Sequence, residues 1–203
     1  MLELDHLAIA AENLEDGRAH VEDALKVKLQ PGGQHAHFGT HNLLLDLDDG
    51  LYLEVIAIDP EAPAPGYPRW FDLDRFLGPP KLTNWICRTN ALAEALQSFP
   101  QSGSPVALVR GDLRWQMAVP EDGILPFGGM FPALIEWQGD AHPVQRLQAS
   151  GCHLDRLVVS HPEISQLSAD LTPLLSEERV VYEVGEVGLR AEIVTPDGIR
   201  VLA

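Results

Sequence analysis

The chain restarts its own pattern. The segment LELDHLAIAAENLEDGRAHVEDAL (residues 2–25) runs beside CHLDRLVVSHPEISQLSADLTPLL (residues 152–175) at a constant offset of 150. Leu4 falls on Leu154, Asp5 on Asp155, Leu7 on Leu157, Ile9 on Val159, Leu14 on Ile164, Val21 on Leu171 and Leu25 on Leu175. A shorter restart begins at LTNWICRT, residues 82–89. Such periodicity constrains the fold more than local propensity does, because every copy must build a similar supersecondary unit.

Within a copy, the order is one strand, one helix and three strands. Residues 2–9 alternate as a strand, with His6 on the face of Leu2, Leu4 and Ala8. Asn13 is suited to cap a helix whose first turn carries Glu15 and Asp16, where the helix dipole favours acids. Leu14, Gly17, Val21, Ala24 and Leu25 give that helix an apolar stripe to about Val27. Pro31-Gly32-Gly33 is expected to break the chain before a strand around Gln34–Phe38. Residues 39–58, GTHNLLLDLDDGLYLEVIAI, read as a hairpin about Asp49-Gly50, the signature of a two-residue type I′ turn. That register sets Leu47 opposite Tyr52, Leu45 opposite Glu54 and Leu43 opposite Ile56, with His41 and Glu54 on one largely apolar face. A lone carboxylate there is costly. Glu54 therefore calls for nearby solvent or for a partner: a metal, a cation or a histidine.

Residues 59–81 are rich in proline and aromatics, and Arg69, Trp70, Phe71 and Phe76 favour a packed crossover with a short helix near Trp70–Phe76. In the second copy Asn90 caps a short helix lined by Leu92, Leu96 and Phe99. Strands follow at 106–110, 113–120 and 133–138, the last two separated by the loop PEDGILPFGGMF. In the third, strands are expected at 179–186, 189–196 and 199–202. The organisation is one compact α+β domain: a βαβββ unit at 1–58, a crossover at 59–81, a second unit at 82–140 and a third at 152–203. Three strands after each helix argue against a doubly wound sheet.

Charge and composition exclude several classes. The formal charge of −16 disfavours nucleic acid and anionic membranes as partners. There is no apolar span long enough for a membrane helix and no basic leader at the N-terminus, so a cytoplasmic location is the expectation. Cys87 and Cys152 stand far apart in strand-like runs, as buried thiols do. No nucleophile elbow, phosphate-binding glycine loop or CxxC pair is present.

Laid over one another, the units set His6 on Asn84 and Arg156, and Glu54 (in LYLEVI) on Glu136 (in ALIEWQ). At this point the chain resembles the vicinal oxygen chelate superfamily, and most closely its glyoxalase-like branch. LDHLAIA, YLEVIA, GTHNLLLDLDDGLYLEVI, PRWFDLD and LPFGGMFPALIEW carry the resemblance, over about residues 2–180. It implies that two βαβββ modules curve into a cup of mixed sheet, as in glyoxalase and bleomycin-resistance proteins, with the third module a partial one. It also implies His6, Glu54 and Glu136 as metal ligands, with Asn84 at a position usually His or Gln. Such a hard donor set suits Mn, Fe(II), Zn, Ni or Mg. An ion there would act as a Lewis acid on vicinal substrate oxygens.

Around that floor, Glu136 and His41 are the candidate catalytic residues. Asn84, Arg69, Trp70, Arg114 and Phe127 are the candidates for substrate contact, and His142, His153 and His161 are read as surface or capping residues. The third unit is expected to pack as an edge extension. The other arrangement pairs the first unit with the third and turns Arg156 toward His6 and Glu54. Two functions stay open at this level. One is a metal-dependent lyase, isomerase or dioxygenase acting on a small oxygenated molecule. The other is a metal-free protein that binds or sequesters a small molecule in the same cup. A weaker third is a structural protein whose cup is filled by its own side chains. The expected partner is a small-molecule ligand, and a homodimer is compatible with each reading.

Overall fold

The computed structural model describes residues 1–203. The first unit comprises β1 (Glu3–Ala10), α1 (Leu14–Leu25), β2 (Gln30–His35), β3 (Thr40–Asp46) and β4 (Tyr52–Ile58). The second comprises β5 (Lys81–Arg88), α2 (Leu92–Ser98), β6 (Ser104–Arg110), β7 (Leu113–Val119) and β8 (Ala133–Trp137). Together they form one eight-stranded sheet, in the order β2-β3-β4-β1-β5-β8-β7-β6. β1 and β5 pair antiparallel at its centre, and each unit's last strand lies parallel to its first. The sheet curls into a half-barrel. Its outer strands approach closely enough for Arg110 of β6 to hydrogen-bond Asn42 and His35 of the first unit.

The hairpin between β3 and β4 is one residue out of the register expected from Asp49-Gly50. Leu47 N–H bonds the Leu51 carbonyl, and the loop is Asp48-Asp49-Gly50, all with positive φ. Asp and Gly tolerate that conformation best, so the second aspartate lengthens the loop. Leu44 now faces Glu54 and Asn42 faces Ile56. Packing explains the choice, because this register buries Leu43, Leu45, Leu47, Leu51, Leu53 and Val55 in one core. The Pro31-Gly32-Gly33 run also departs from expectation. It lies inside β2, at an irregularity between Pro31 and Gln34. A Cβ on Gly32 would stand 2.0 Å from Asn42 Oδ1, so the glycine leaves room for that amide.

The third unit does not extend the large sheet. β9 (His153–Ser160), α3 (Ile164–Leu171), β10 (Val180–Glu183), β11 (Gly188–Thr195) and β12 (Gly198–Leu202) form a separate sheet, ordered β10-β9-β11-β12. β10 returns directly beside β9 in parallel, and β11 occupies β9's other edge. In the first two units the strand after the helix lies at the outer edge instead. The repeat at offset 150 therefore covers the strand and helix, not the topology that follows. With both edges of β9 paired, no edge remains to join β1. Arg156 is exposed opposite Glu192, away from His6.

Two cores follow. On the convex side Leu7, Ile9, Val21 and Trp85 share a cluster of 35 residues with Leu157, Leu167 and Ala191 of the third unit. Inside the cup a cluster of 16 residues joins Ala8, Ile56, Ile86, Trp115 and Ile135 to Trp70 and Phe71 of the crossover. No helix is long and apolar enough to cross a membrane.

Helix α1 begins at Asn13, whose side chain accepts the Asp16 N–H at 2.9 Å. It packs through Gly17, where a Cβ would stand 2.4 Å from Val55 Cγ1 and 2.9 Å from Ala11 Cβ. Alanine gains about 1 kcal/mol over glycine in a helix. Overpacking a rigid core costs about 1–3 kcal/mol, and Val55 is a fully buried, β-branched strand residue. The clash wins. Gly17→Ala is expected to lower the urea midpoint despite its higher helix propensity; an unchanged or raised midpoint would show that α1 can lift away from β4.

Candidate functional site

The site begins with a bulge. Leu4 pairs with Cys87 and His6 with Ile86, which leaves Asp5 unmatched in β1. Such an irregularity re-aims side chains, and here neighbouring Asp5 and His6 meet. Asp5 Oδ1 lies 2.8 Å from His6 Nδ1. Asp5 Oδ2 accepts the Trp137 indole N–H at 3.0 Å and lies 3.1 Å from His142 Nε2. The His6 ring stacks on Tyr52, with centroids 4.3 Å apart and planes 13° from parallel. Its Nε2 lies 3.7 Å from Glu54 Oε2. Asp5, His6 and Glu54 are 0%, 4% and 5% exposed, so these charges are withdrawn from water.

Glu54 is held from the other side. Its Oε1 accepts a hydrogen bond from the Asn42 amide. Asn42 Oδ1 in turn accepts from Gly33 N at 2.7 Å and from Arg110 Nη1 at 3.3 Å. Arg110 also donates to His35 Nε2 at 3.1 Å. A guanidinium can only donate. His35 is therefore neutral, with its proton on Nδ1 and aimed at Thr40 Oγ1, 3.0 Å away. The groups surround a chamber of about 30 Å³, closed by Trp70, Trp115, Met117 and Ile135.

Charge states follow from this arrangement. Burial pushes His6 down, but the Asp5 and Glu54 hydrogen bonds and charges outweigh it and raise the imidazole to about 9. Burial raises Glu54, but His6, with His35 and Asn42, holds it down to about 2. Asp5 is likewise lowered, through His142 and His6 against its burial. His35 is lowered to about 4, by burial first, with Glu54 opposing and Arg110 assisting. At neutral pH the floor is a carboxylate, an imidazolium and a second carboxylate, with a neutral histidine and a guanidinium beyond.

The remaining sequence candidates separate. Glu136 lies on the opposite face from the cup, where it accepts the Leu92 N–H at 2.8 Å and caps α2. Ala8 pairs with Glu54, whereas Ile86, its counterpart in the second unit, pairs with Ala133, so the offset of 82 is out by an odd number of residues, which reverses a strand's faces. Ala133, Ile135 and Trp137 of the same strand pack into the cup. His41 sits opposite Ala57 with Nδ1 4.0 Å from Asp59, and is separated from Glu54 by the corrected register. Arg69 is committed to the Phe38 carbonyl at 2.8 Å and to Asp74. Arg114 is exposed on the outer face, near the Gly111 carbonyl. Phe127 packs against the convex core and His161. Trp70 does wall the chamber, stacked on Phe38 at 4.5 Å. Asn84 is buried but lines a different cavity, beyond Phe71.

A divalent ion of the kind the fold implies does not fit this donor set. His6 Nε2 and the Glu54 carboxylate are the two donors of the implied set that meet. The facing module supplies Ala133 and Ile135 where further ligands would be needed. No group of three or more His, Cys, Asp or Glu side chains is placed to hold a metal. Arg110 adds a fixed cation nearby. Sequence reading missed Asp5, His35, Asn42, Tyr52 and Arg110. The one available signal was Asp5 beside His6, since the cross-cup partners depend on curvature.

A curled sheet built from two βαβββ modules, with a buried polar floor on its central strands, defines the cup of the vicinal oxygen chelate superfamily. A family profile described as a glyoxalase-like domain matches residues 4–175, and the chain belongs to that family. No curated protein matches. Among solved structures, a hypothetical protein from Staphylococcus aureus is 17% identical, with a TM-score of 0.66 over 93% of this chain and 88% of its own. Methylmalonyl-CoA epimerase from Mycobacterium tuberculosis is 22% identical, with a TM-score of 0.45 over 68% of this chain and 88% of that one. The Streptomyces coelicolor methylmalonyl-CoA epimerase bound to 2-nitronate-propionyl-CoA is 15% identical, at 0.45 over 70% and 100%. At these identities the likeness concerns fold alone.

The floor predicts a stability maximum. His35 has a folded pKa below its unfolded value, so the unfolded chain binds more protons between about 4 and 6.5, and stability rises with pH there. His6 has a folded pKa above its unfolded value, so its contribution is complete below 6.5 and is lost as pH rises toward about 9. Denaturant midpoints from pH 5 to 9 should peak near the ordinary histidine pKa of about 6.5. His6→Gln should remove the falling limb and His35→Gln the rising one. A wild-type profile flat across this range would refute both assignments.

Proposed function

We propose that this glyoxalase-like protein is an enzyme that moves a proton on a small oxygenated molecule, with Glu54 and His6 as the acid–base pair. The observation that carries the reading is that pair itself: a carboxylate and an imidazolium 3.7 Å apart, both buried, on the paired strands β4 and β1. Burying even a paired charge is costly, and buried ionisable pairs with shifted pKa values in a cleft are where functional groups concentrate.

The chemistry follows from the placement. A C–H bond acidified by an adjacent carbonyl breaks as its proton passes to a Glu54 oxygen. The electron pair moves to the carbonyl oxygen, which accepts a hydrogen bond or proton from His6 Nε2. Asp5 on Nδ1 holds the imidazolium in orientation, as a third group does in acid–base constellations. Return of the proton completes an isomerisation or epimerisation. In the resting pair, mutual attraction makes Glu54 a weak base. A substrate between the two groups weakens that attraction and moves both pKa values toward their ordinary range, where transfer is efficient.

A second reading is binding without chemistry. Under either reading the chamber of about 30 Å³, with Trp70 and Trp115 among its walls, has to widen to admit more than a water-sized group.

Exchange of substrate carbon-bound hydrogen with D2O separates them. With 2-oxo acids, hydroxyketones and thioesters as probes and a chelator present, one class should exchange. Glu54→Gln and His6→Gln should each slow exchange about a hundredfold. Exchange that survives in Glu54→Gln would contradict the assignment, and saturable binding with no exchange would favour the second reading.

A further inference from the structure

Outside the His6–Glu54 chamber lies a larger cavity of about 320 Å³. It opens between the crossover, the loop before β8 and the β10–β11 turn. Phe71 separates the two spaces, since it lines both. The size falls in the usual range for small-molecule pockets, about 300–1,000 Å³. Half of its 16 lining residues are hydrophobic, Phe76, Leu125, Met130 and Val187 among them.

Its polar side chains are Asp72, Arg75, Lys81, Thr83 and Asn84. Asn84 is 3% exposed, and its Oδ1 has no hydrogen-bond partner. A buried acceptor left unpaired costs about 1–3 kcal/mol. Native interiors seldom tolerate this without a water or ligand that supplies the missing donor. At the rim, Arg75 is engaged by Asp72 and the Asp122 carbonyl. Lys81 is exposed and makes no ion pair, in a chain whose formal charge is −16. One deep acceptor, an apolar body and one free cation at the mouth describe a complementary ligand.

We propose that this cavity binds a small apolar carboxylic acid that carries a hydroxyl group. The hydroxyl donates to Asn84 Oδ1, the hydrocarbon fills the apolar walls and the carboxylate meets Lys81. Sequence comparison of the modules equates Asn84 with His6, but Phe71 shields it from that floor. The inference needs no chemistry at His6 or Glu54.

The test uses meta-hydroxybenzoate, benzoate and meta-hydroxybenzyl alcohol as probes, followed by amide NMR shifts. Meta-hydroxybenzoate should bind saturably, with shifts centred on residues 82–84, 124–130 and 187–188. Benzoate, which lacks the donor, and the alcohol, which lacks the charge, should each bind about tenfold more weakly, the scale of one hydrogen bond or one charge contact. Asn84→Leu should erase the preference for the hydroxyl while binding of benzoate persists. Lys81→Glu should weaken both acids and leave the alcohol unchanged. Val187→Trp, at an exposed rim position, should block all three. Glu54→Gln should keep the wild-type order, so that failure here and failure of the acid–base reading are distinguishable. Shifts mapping elsewhere, a hydroxyl preference that survives in Asn84→Leu, or no saturable binding would each overturn the proposal.

Discussion

The contact between Asp5 and His6 is what the rest of the cup depends on. It keeps the imidazole charged in a place closed to water, and the charged imidazole is what makes a buried Glu54 tolerable. Removing one member of such a set strands the others, which costs more than the set contributes by its presence. The local fold serves this contact. A bulge in the central strand turns Asp5 and His6 toward one another, and the glycine at position 32 clears space for the Asn42 amide that holds Glu54. The curl of the sheet then brings Arg110 across to lock Asn42 and His35. Where the family resemblance implies a metal, His6 and Glu54 face one another 3.7 Å apart.

The crossover has a matching role. Trp70 and Phe71 leave the surface and fill the mouth of the cup, and the backbone at Phe71 and Asp72 takes positive φ to do so. Conformations of this kind persist for ordinary residues only where packing enforces them. Phe71 thus stands between the small charged chamber of the cup and a larger cavity that reaches the β10–β11 turn. Behind both, the third unit's own sheet backs the convex face, sharing a core with β1 and β5, the strands that carry His6 and Asn84.

Much of this was legible in the sequence. Strand and helix order, the two-module cup and the meeting of His6 with Glu54 follow from the repeat and the family resemblance. Four features were not. The loop at Asp48-Asp49-Gly50 has three residues where the Asp-Gly signal suggests two, and that one-residue difference put Asn42 rather than His41 on the face of Glu54. The same parity error set Glu136 on Glu54, although it faces the other way and caps α2. Side-chain period in a strand is two, so a pattern correct in composition is wrong in face after one slip. The third unit shares a strand and helix with the first, yet its separate sheet depends on where β10 returns, which apolar periodicity does not encode. Arg110 and His35 meet only through curvature, at a separation of 75 residues.

The protonation of His6 tests the central claim most directly. Long-range proton–nitrogen NMR of the ring at pH 7.5, with and without added Mn(II), reads both nitrogens at once. A floor held by Asp5 and Glu54 predicts an imidazolium, protonated at Nδ1 and Nε2, with its signals unbroadened by the added ion. A neutral ring with a free Nε2, or selective paramagnetic broadening of His6 and Glu54, would show instead that the pair is a metal centre and that the ion-pair account is wrong.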